Sequence, residues 1–558
     1  MASSALPTVY NLRAPAFGDK IVDKDGVALD ALQKYFVNVN AALISLNRVV
    51  NVADFGARGN GTADDSIAVQ LAINTALKNG GGIVFFPQGD FRINFVTVPA
   101  GSAPITFMGQ GPATTIRRLG VITPGVGMFD ILGANVSFSD MVIDGDKTTP
   151  TGLQYNADFL GINGNDPMAN SLTQNTSVWV HGPTSNVTFV RMRFQHAAGY
   201  SVLVDALSGD ITDISFIQCK VINNRPTLFG TSASPLIYGS WNGGIFLKGD
   251  GRTLTAGVIS NVLVTQCDFE RNTGNCLWQH TYGLVRLHSN VRFMGNFFLD
   301  CGLDGILVGG NTGGVVDTNV FRRIGYTTLT DTDQSIPRWL TGLNATALDS
   351  SGMVIGVPYT NNSFLNINGG GLDLDSHGYS TIEGNICRVS YPYDPEYDED
   401  RVAISGINGT GATGYGCNLG NTGNTPQGAS NVSIVGNTFI NLSAGSVRLF
   451  AGRDCLVASN DIIAPDAPIA PPVSLGPIGV GPNQRATGNK ICHNRVTYNP
   501  GSPAPVVFED DTITPFVGTD INQVFGNCPI SPAGSLATEF QSAAGSGSPT
   551  YAETVWFP

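Results

Sequence analysis

The sequence predicts an all-β chain wound as a right-handed parallel β-helix, a solenoid with a capping helix and a short N-terminal helical neck. Three observations lead there. Gly 69 and Pro 31 make up nearly a fifth of the 558 residues without a collagen period, so the chain turns often and forms few helices. One phrase recurs from about residue 100: a turn residue, alternating apolar residues, a Gly, Asn or Cys, then another apolar pair. Its copies are NVSFSDMVI (135–143), NVTFVRMRF (186–194), DISFIQCKV (213–221), NVLVTQCDF (261–269), NVRFMGNFF (290–298) and NVSIVGNTF (431–439), with partial copies near 381, 455 and 486. Close copies lie 27 residues apart (Val187 to Ile214) and 29 apart (Val262 to Val291), a period that marks a solenoid. Third, the stretch 51–93 reads as a glycine-rich turn, one helix and a buried strand, a unit that closes the open end of a stacked sheet.

Residues 1–50 stand apart from the rest. Leu29, Leu32, Phe36, Val39, Leu43, Leu46 and Val50 step by three and four, an a/d seam three heptads long. So narrow a seam belongs to a self-associating helix or to a helix lying on its own solenoid; the expectation is the neck of a parallel homotrimer. In the capping unit, Asp64 or Asp65 starts the helix, and Ile67, Leu71, Ile73 and Leu77 form its apolar stripe. Gly80, Gly81 and Gly82 stop it, and the strand Ile83–Phe86 ends at Pro87. The solenoid is expected over 51–500, and 501–558, rich in Pro, Gly, Ser and Ala, as a C-terminal cap or trimer clamp. The longest insertions are 144–177, 225–243, 326–350 and 391–430. Such insertions are functional walls or mobile segments, and they carry much of the Tyr and Trp, Trp241 among them. Those rings either stack on sugar faces or pin the loops to the body.

The order Val-x-Asp-Phe-Gly-Ala (52–57), an Asp-Asp helix start (64–65) and Gly-Gly-x-Val-x-Phe-Pro-x-Gly (81–89) resembles the opening of the pectate-lyase-like parallel β-helix superfamily. That superfamily contains hydrolases, lyases, epimerases and phage tailspikes, so the resemblance implies the fold and leaves the reaction open. The segment DKIVDKDGVALDALQKYF (19–36) resembles an element near the N-termini of phage tail proteins, which implies a particle-attachment peptide ahead of the neck. Together these imply a tailspike: a homotrimer in the virion tail, attached to a tail or baseplate protein and binding a bacterial surface polysaccharide.

A formal net charge of -13 argues against nucleic acid or an anionic membrane as partner. No apolar run is long enough to span a bilayer, and MASSALPTVY lacks the basic and apolar parts of a secretion signal. The nine cysteines never form Cys-x-x-Cys; they are expected as buried small residues, with Cys219, Cys267 and Cys387 stacked coil on coil, rather than as disulfides or metal ligands. No cofactor and no metal is expected.

Counting eleven residues from the end of each phrase gives Asp205, His280, Gly309 and Asp375, an outward column that would line a groove. In GGGLDLDSHG (369–378), alternation puts Asp373, Asp375 and His377 on one face and Leu372 and Leu374 on the other. Two carboxylates there could serve as acid and base on a glycosidic bond; a solvated acidic stretch or a Ca²⁺ site are the alternatives. Trp278, His280 and Asp304 form a second constellation about one coil apart, with Glu270 on a flanking turn. It loosely resembles the alginate epimerases and related lyases, although Trp278 stands where that family has Asp; Asp304 could equally be a turn residue beside Gly305. The expected reaction is endo-glycosidic hydrolysis, with Asp373 or Asp375 as acid, Asp304 as a second carboxylate two rungs away, and His280 and His377 as further catalytic candidates. Trp278, Asp205, Trp241, Tyr282 and Glu270 are the expected sugar-binding residues. A lyase using Lys248, Arg252, Arg286 or His280 as base, and an adhesin without turnover, are the competing readings.

Overall fold

A computed structural model of the chain describes residues 48–543, interrupted at 147–175, 325–346 and 389–414 and at shorter stretches. The N-terminal segment with the heptad seam, Trp241 and the end of the chain lie outside the described residues. Each coil contributes one strand in turn to three long sheets, here sheets 1, 2 and 3, which hold 17, 15 and 14 strands among the described residues. Pairing within all three is parallel: Val187 pairs with Ile214, Phe194 with Val221, and Val178 with Val202. This is the stacked solenoid that the repeat predicts. The phrase occupies a strand of sheet 1, a corner, and a strand of sheet 2.

Local chemistry explains the phrase. Its first residue sits at positive φ in copy after copy, at Asn135 (57°), Asn186 (56°), Asp213 (61°), Asn261 (56°), Asn290 (51°) and Asn431 (55°). Asn and Asp tolerate that region better than other non-glycine residues, which is why the turn letter barely varies. The alternating residues that follow point inward and stack along the axis: Phe107, Phe138, Phe189 and Phe216 lie 4.6, 5.1 and 4.7 Å apart by ring centroid. Sheet 2 has its own stack, Phe269, Phe298, Phe321 and Phe364, at 4.7, 4.7 and 5.1 Å.

The phrase's Gly/Asn/Cys position holds the corner between sheets 1 and 2. From Asn296 through Asn319, Asn362, Asn385, Asn437, Asn460 and Asn494 to Asn527 each side-chain amide donates to the next Asn oxygen, at 2.8–3.0 Å. The same amides donate to main-chain carbonyls of the preceding coil, as Asn362 does to Val316 at 3.0 Å. Cys219 and Cys267 occupy this corner earlier, stacked with the Cys219 N–H 3.4 Å from the Cys267 Sγ. Cys387 departs from expectation: it pairs with Phe364 and Phe439 in the aromatic column of sheet 2. Cys276 and Cys301 also depart, since they form a disulfide with Cα atoms 6.6 Å apart.

The cap is helix α1 (Ser66–Lys78), lying over the first strands of sheet 1. Asp64 accepts the Ser66 N–H at 2.9 Å, while buried Asp65 holds the preceding turn through the N–H groups of Arg58 and Gly59. Its buried face is Ala68, Val69, Ala72, Ile73 and Ala76; Ile67 and Leu71, expected in the stripe, are exposed. Small residues face the sheet because the helix lies close to it. Gly81 at φ 97° permits an equally close approach, since a Cβ there would strike the Pro104 carbonyl. The ladders run on past residue 500: Val507–Asp510, Gln523–Phe525, Cys528–Ile530 and Phe540–Ala543 extend all three sheets, so they show no break at that position.

The long insertions share an origin. The chain leaves sheet 2 after Asp144, Ile222, Arg322 and Arg388 and returns to sheet 3 at Val178, Ile245, Leu348 and Tyr415. All four therefore rise from the corner between sheets 2 and 3. The expected insertions 326–350 and 391–430 each enclose a sheet 3 strand, Leu348–Ser350 and Tyr415–Gly420.

Candidate active site on sheet 3

Sheet 3 has alternating inward and outward columns. One register runs unbroken through Val178, Val202, Ile245, Leu277, Ile306, Leu348, Leu372, Cys417 and Val447, and its described side chains are buried in the core. One residue later in each strand comes Trp179, Leu203, Phe246, Trp278, Leu307, Asp349, Asp373, Asn418 and Arg448. Three residues later comes the run His181, Asp205, Lys248 and His280. The predicted Asp205–His280 column is therefore real, with Lys248 on the rung between them. Asp375 falls at the same strand position farther along, in register with Gly420.

The first half of this face is buried. Leu203 and Phe246 have no exposure, and Phe246 stacks on Trp278 at 4.1 Å and 13° and lies 5.0 Å from Tyr200. Trp278 is 6% exposed, a packed ring in a second apolar cluster outside the solenoid rather than the open sugar platform expected. Beside it, Lys248 lies 3.7 Å from the Asp205 carboxylate, and both are buried. Upstream, His181 Nε2 meets Asp130 at 2.5 Å while its ring stacks on Trp179 at 4.2 Å.

His280 is half-buried, and burial, helped by nearby His288, pushes its pKa down to about 4, so it is a neutral imidazole near pH 7. His288 is fixed more firmly. Its Nδ1 accepts the Ile259 N–H at 2.8 Å and its Nε2 donates to the His280 carbonyl at 2.9 Å, an arrangement only the neutral ring satisfies. Burial lowers its pKa to about 4 as well.

The second half of the face carries acids. Asp373 is half-buried between Leu372 and Leu374, which are fully buried, as alternation predicts. Its register partner on the preceding rung is Asp349, a residue the sequence reading passed over. Asp375 is two positions farther along the strand; the side chains of Asp349, Asp375 and Tyr282 lie outside the described residues.

Three expected placements are corrected. His377 does not share a face with Asp373. Ser376 at φ 56° ends the sheet 3 strand, and His377 begins a sheet 1 strand, where it is 1% exposed with Nε2 2.6 Å from the Tyr359 hydroxyl. Asp304 does not stack with His280. It precedes Ile306 by two residues while His280 follows Ile306's partner Leu277 by three, a gap of about 16 Å along the strand direction. Asp304 is instead a buried corner residue: its N–H donates to Asn275 Oδ1 at 3.3 Å and its carbonyl accepts the Cys276 N–H at 3.0 Å. Nor is it opposite Asp373, which lies two rungs on and three residues along. Glu270 pairs with Ile222 and Leu299 on sheet 2, a different wall from Trp278.

A separate polar network, unread in the sequence, lies at the outer edge of sheet 2. Buried Asp144 takes hydrogen bonds from Gln195 (2.8 Å) and Arg117 (3.2 Å) and lies 3.2 Å from His196 Nδ1; Arg92 pairs with Asp146 at 2.8 Å. Burial alone would raise the Asp144 pKa, but the hydrogen bonds of His196, Gln195 and the Asp146 N–H together hold it down at about 2. Among the described residues no group of three or more His, Cys, Asp or Glu is placed to hold a metal ion, and no helix is long and apolar enough to cross a membrane.

Residues 49–194 match the family described as Rhamnogalacturonase A/epimerase, pectate lyase-like. The described residues form a parallel β-helix, and its first coils are those that match this family. This β-helix is 34% identical over 95 residues to mannuronan C5-epimerase AlgE4 of Azotobacter vinelandii, a match covering 17% of this chain and 15% of that protein. The chain spans about a tenth of the length of two further epimerases it matches, AlgE5 and AlgE2, with 11% of each covered. Among solved structures, the surface adhesin PfbA of Streptococcus pneumoniae shares 14% identity and a TM-score of 0.47, covering 83% of this chain and 93% of its own. Tailspike protein 3 of bacteriophage CBA120 shares 13% identity and a TM-score of 0.34, covering 90% of this chain and 62% of its own.

Proposed function

We propose that this pectate-lyase-like chain is a phage tailspike depolymerase, a homotrimer joined to the tail through its N-terminus, that binds a bacterial surface polysaccharide and cuts it by endo-glycosidic hydrolysis. One observation carries the reading: Asp349 and Asp373 are register partners on consecutive rungs of sheet 3, with Asp375 two positions on along the strand. The pairing moves the second carboxylate from Asp304 to Asp349. Consecutive rungs are about 4.8 Å apart, which suits the short carboxylate separation of a retaining glycosidase better than the wider inverting one. Asp373 then protonates the leaving glycosidic oxygen as Asp349 attacks the anomeric carbon and forms a glycosyl ester; Asp373, now ionised, takes a proton from the water that attacks the same carbon and displaces Asp349.

Incubation with the host polysaccharide is expected to release short repeating oligomers whose new anomeric centres keep the starting configuration by NMR. Asp373→Asn and Asp349→Asn are expected to stop the release without lowering the melting temperature; unchanged chain lengths with the parent protein would leave a binding adhesin.

A second reading has its own support. Lys248 and His280 are register partners, a buried cation beside a neutral imidazole, the pair that proton abstraction next to a uronate carboxylate calls for, and the matched curated proteins are named as mannuronan epimerases. It predicts an unsaturated product absorbing in the near ultraviolet, abolished by His280→Gln and untouched by Asp349→Asn.

A further inference from the structure

The core of the solenoid turns polar in one place. On the strand that carries His280, the alternate positions Gln279 and Thr281 are 0% and 3% exposed. The rungs around Gln279 put Val204, Leu247 and Val308 in its register, all within the hydrophobic core. Where sheet 1 begins, the register through Ile211, Ile259, His288, Asn311 and Val354 breaks in the same two adjacent coils, since His288 and Asn311 are buried among aliphatic neighbours. Polar side chains are costly in such a core unless hydrogen bonds satisfy them.

One short segment, Gly309–Asn311, gathers these side chains. The Gly309 carbonyl accepts Gln279 Nε2 at 2.9 Å and the Thr281 N–H at 3.3 Å. Gly310 lies so close to Thr281 that a Cβ there would strike Thr281 Cγ2, and its carbonyl accepts the His288 N–H at 2.9 Å. Asn311 follows, and its Nδ2 donates to the Gly313 carbonyl at 3.1 Å. The two amide bonds fix which end of each side chain is oxygen, because a flipped amide would set oxygen against a carbonyl. Gln279 Oε1, Asn311 Oδ1 and Thr281 Oγ1 are then buried with no hydrogen-bond partner among the described residues. His288 cannot supply one, because both its ring nitrogens are engaged, at the Ile259 N–H and the His280 carbonyl.

The atoms say what such a site takes. Two acceptors and one hydroxyl call for a ligand that donates twice and accepts once, which is water, and three bonds are typical of an enclosed water. A metal cation fits poorly, because the three oxygens are neutral and few, and the Gly309 and Gly310 carbonyls beside them already accept hydrogen bonds. We propose that this cluster is a binding site for enclosed water, held by Gln279, Thr281 and Asn311, which ties the sheet 3 strand at His280 to the start of sheet 1. A crystal structure of the full chain at atomic resolution, repeated on crystals soaked in rubidium chloride, tests it. Expected is a density peak within about 3.2 Å of all three oxygens that carries no rubidium signal. The peak is expected to stay in Thr281→Ser and to vanish in Gln279→Leu/Asn311→Val, which installs the residue types of Leu247 and Val354 on the neighbouring rungs. The absence of a peak, or one that misses any of the three oxygens, overturns the proposal. Anomalous scattering from rubidium at the peak makes the ligand a cation and overturns it too, as does a peak that survives in the double variant. Should that variant fail to fold, the parent and Thr281→Ser crystals decide by themselves.

Discussion

The corner between sheets 1 and 2 and the outer face of sheet 3 are built from the same coils, yet they read in opposite ways. At the corner one residue type is repeated: eight asparagines from Asn296 to Asn527 form a single hydrogen-bonded column. On sheet 3 the register one residue along changes on nearly every rung, from Trp278 to Leu307, Asp349, Asp373, Asn418 and Arg448. A buried corner must satisfy the same orphan amides in every coil, so one solution recurs. An outward face is under no such constraint, so its residues are free to vary, and the proposed chemistry draws on that variation.

Four measurements break or sharpen that contrast. Asp373→Asn is expected to have the largest effect, a loss of about a thousandfold in depolymerisation with an unchanged melting temperature. Reducing-end assays check it, and a surviving rate would remove the Asp349–Asp373 pair from the chemistry. Lys248→Met leaves Asp205 as a buried, unpaired carboxylate and is expected to cost about 3 kcal/mol by denaturant unfolding, so part of the variable face is structural too. Asn362→Ala breaks the corner column at Asn319 and Asn385, at about 2 kcal/mol, and is expected to leave the turnover of folded protein intact.

The smallest effect is a pH dependence. The Asp144 pKa falls from 3.8 to about 2 on folding, so the unfolded chain binds the extra proton between those values and stability rises with pH there. The contribution, about 2 kcal/mol, is whole above pH 3.8 and vanishes as pH drops through about 2. The gap in stability between the parent and Asp144→Asn is expected to close over that window; a constant gap would mean the carboxylate's charge is irrelevant. His288 has the same sign in a different window, since its depressed pKa makes stability fall as pH drops from 6.5 toward 4.

Much of the fold was legible because stacking repeats its demands. Asn and Asp at the left-handed turn, alternating Phe and Val, and an Asn or Cys at the corner are each forced in nearly every coil, and their spacing located the strands. The column of Asp205 and His280 followed from the same count. Legibility failed where the period is broken. Asp349 sits just after an insertion, so counting never reached it, and Ser376 turns the chain between Asp375 and His377 with no glycine or proline to mark the corner. In α1, the small residues Ala68, Ala72 and Ala76 won the buried face over Ile67 and Leu71, which hydrophobicity alone favours.

The amino-acid order by itself determined that this chain stacks: turn residues, apolar alternation and corner asparagines act within a coil or between adjacent ones. Only the tertiary structure decided which acid lies in register with which, that Trp278 is packed and that Asp304 lies at a corner. Those relations join residues 24 or more positions apart through insertions of unequal length, and one residue of slip turns a side chain from solvent to core.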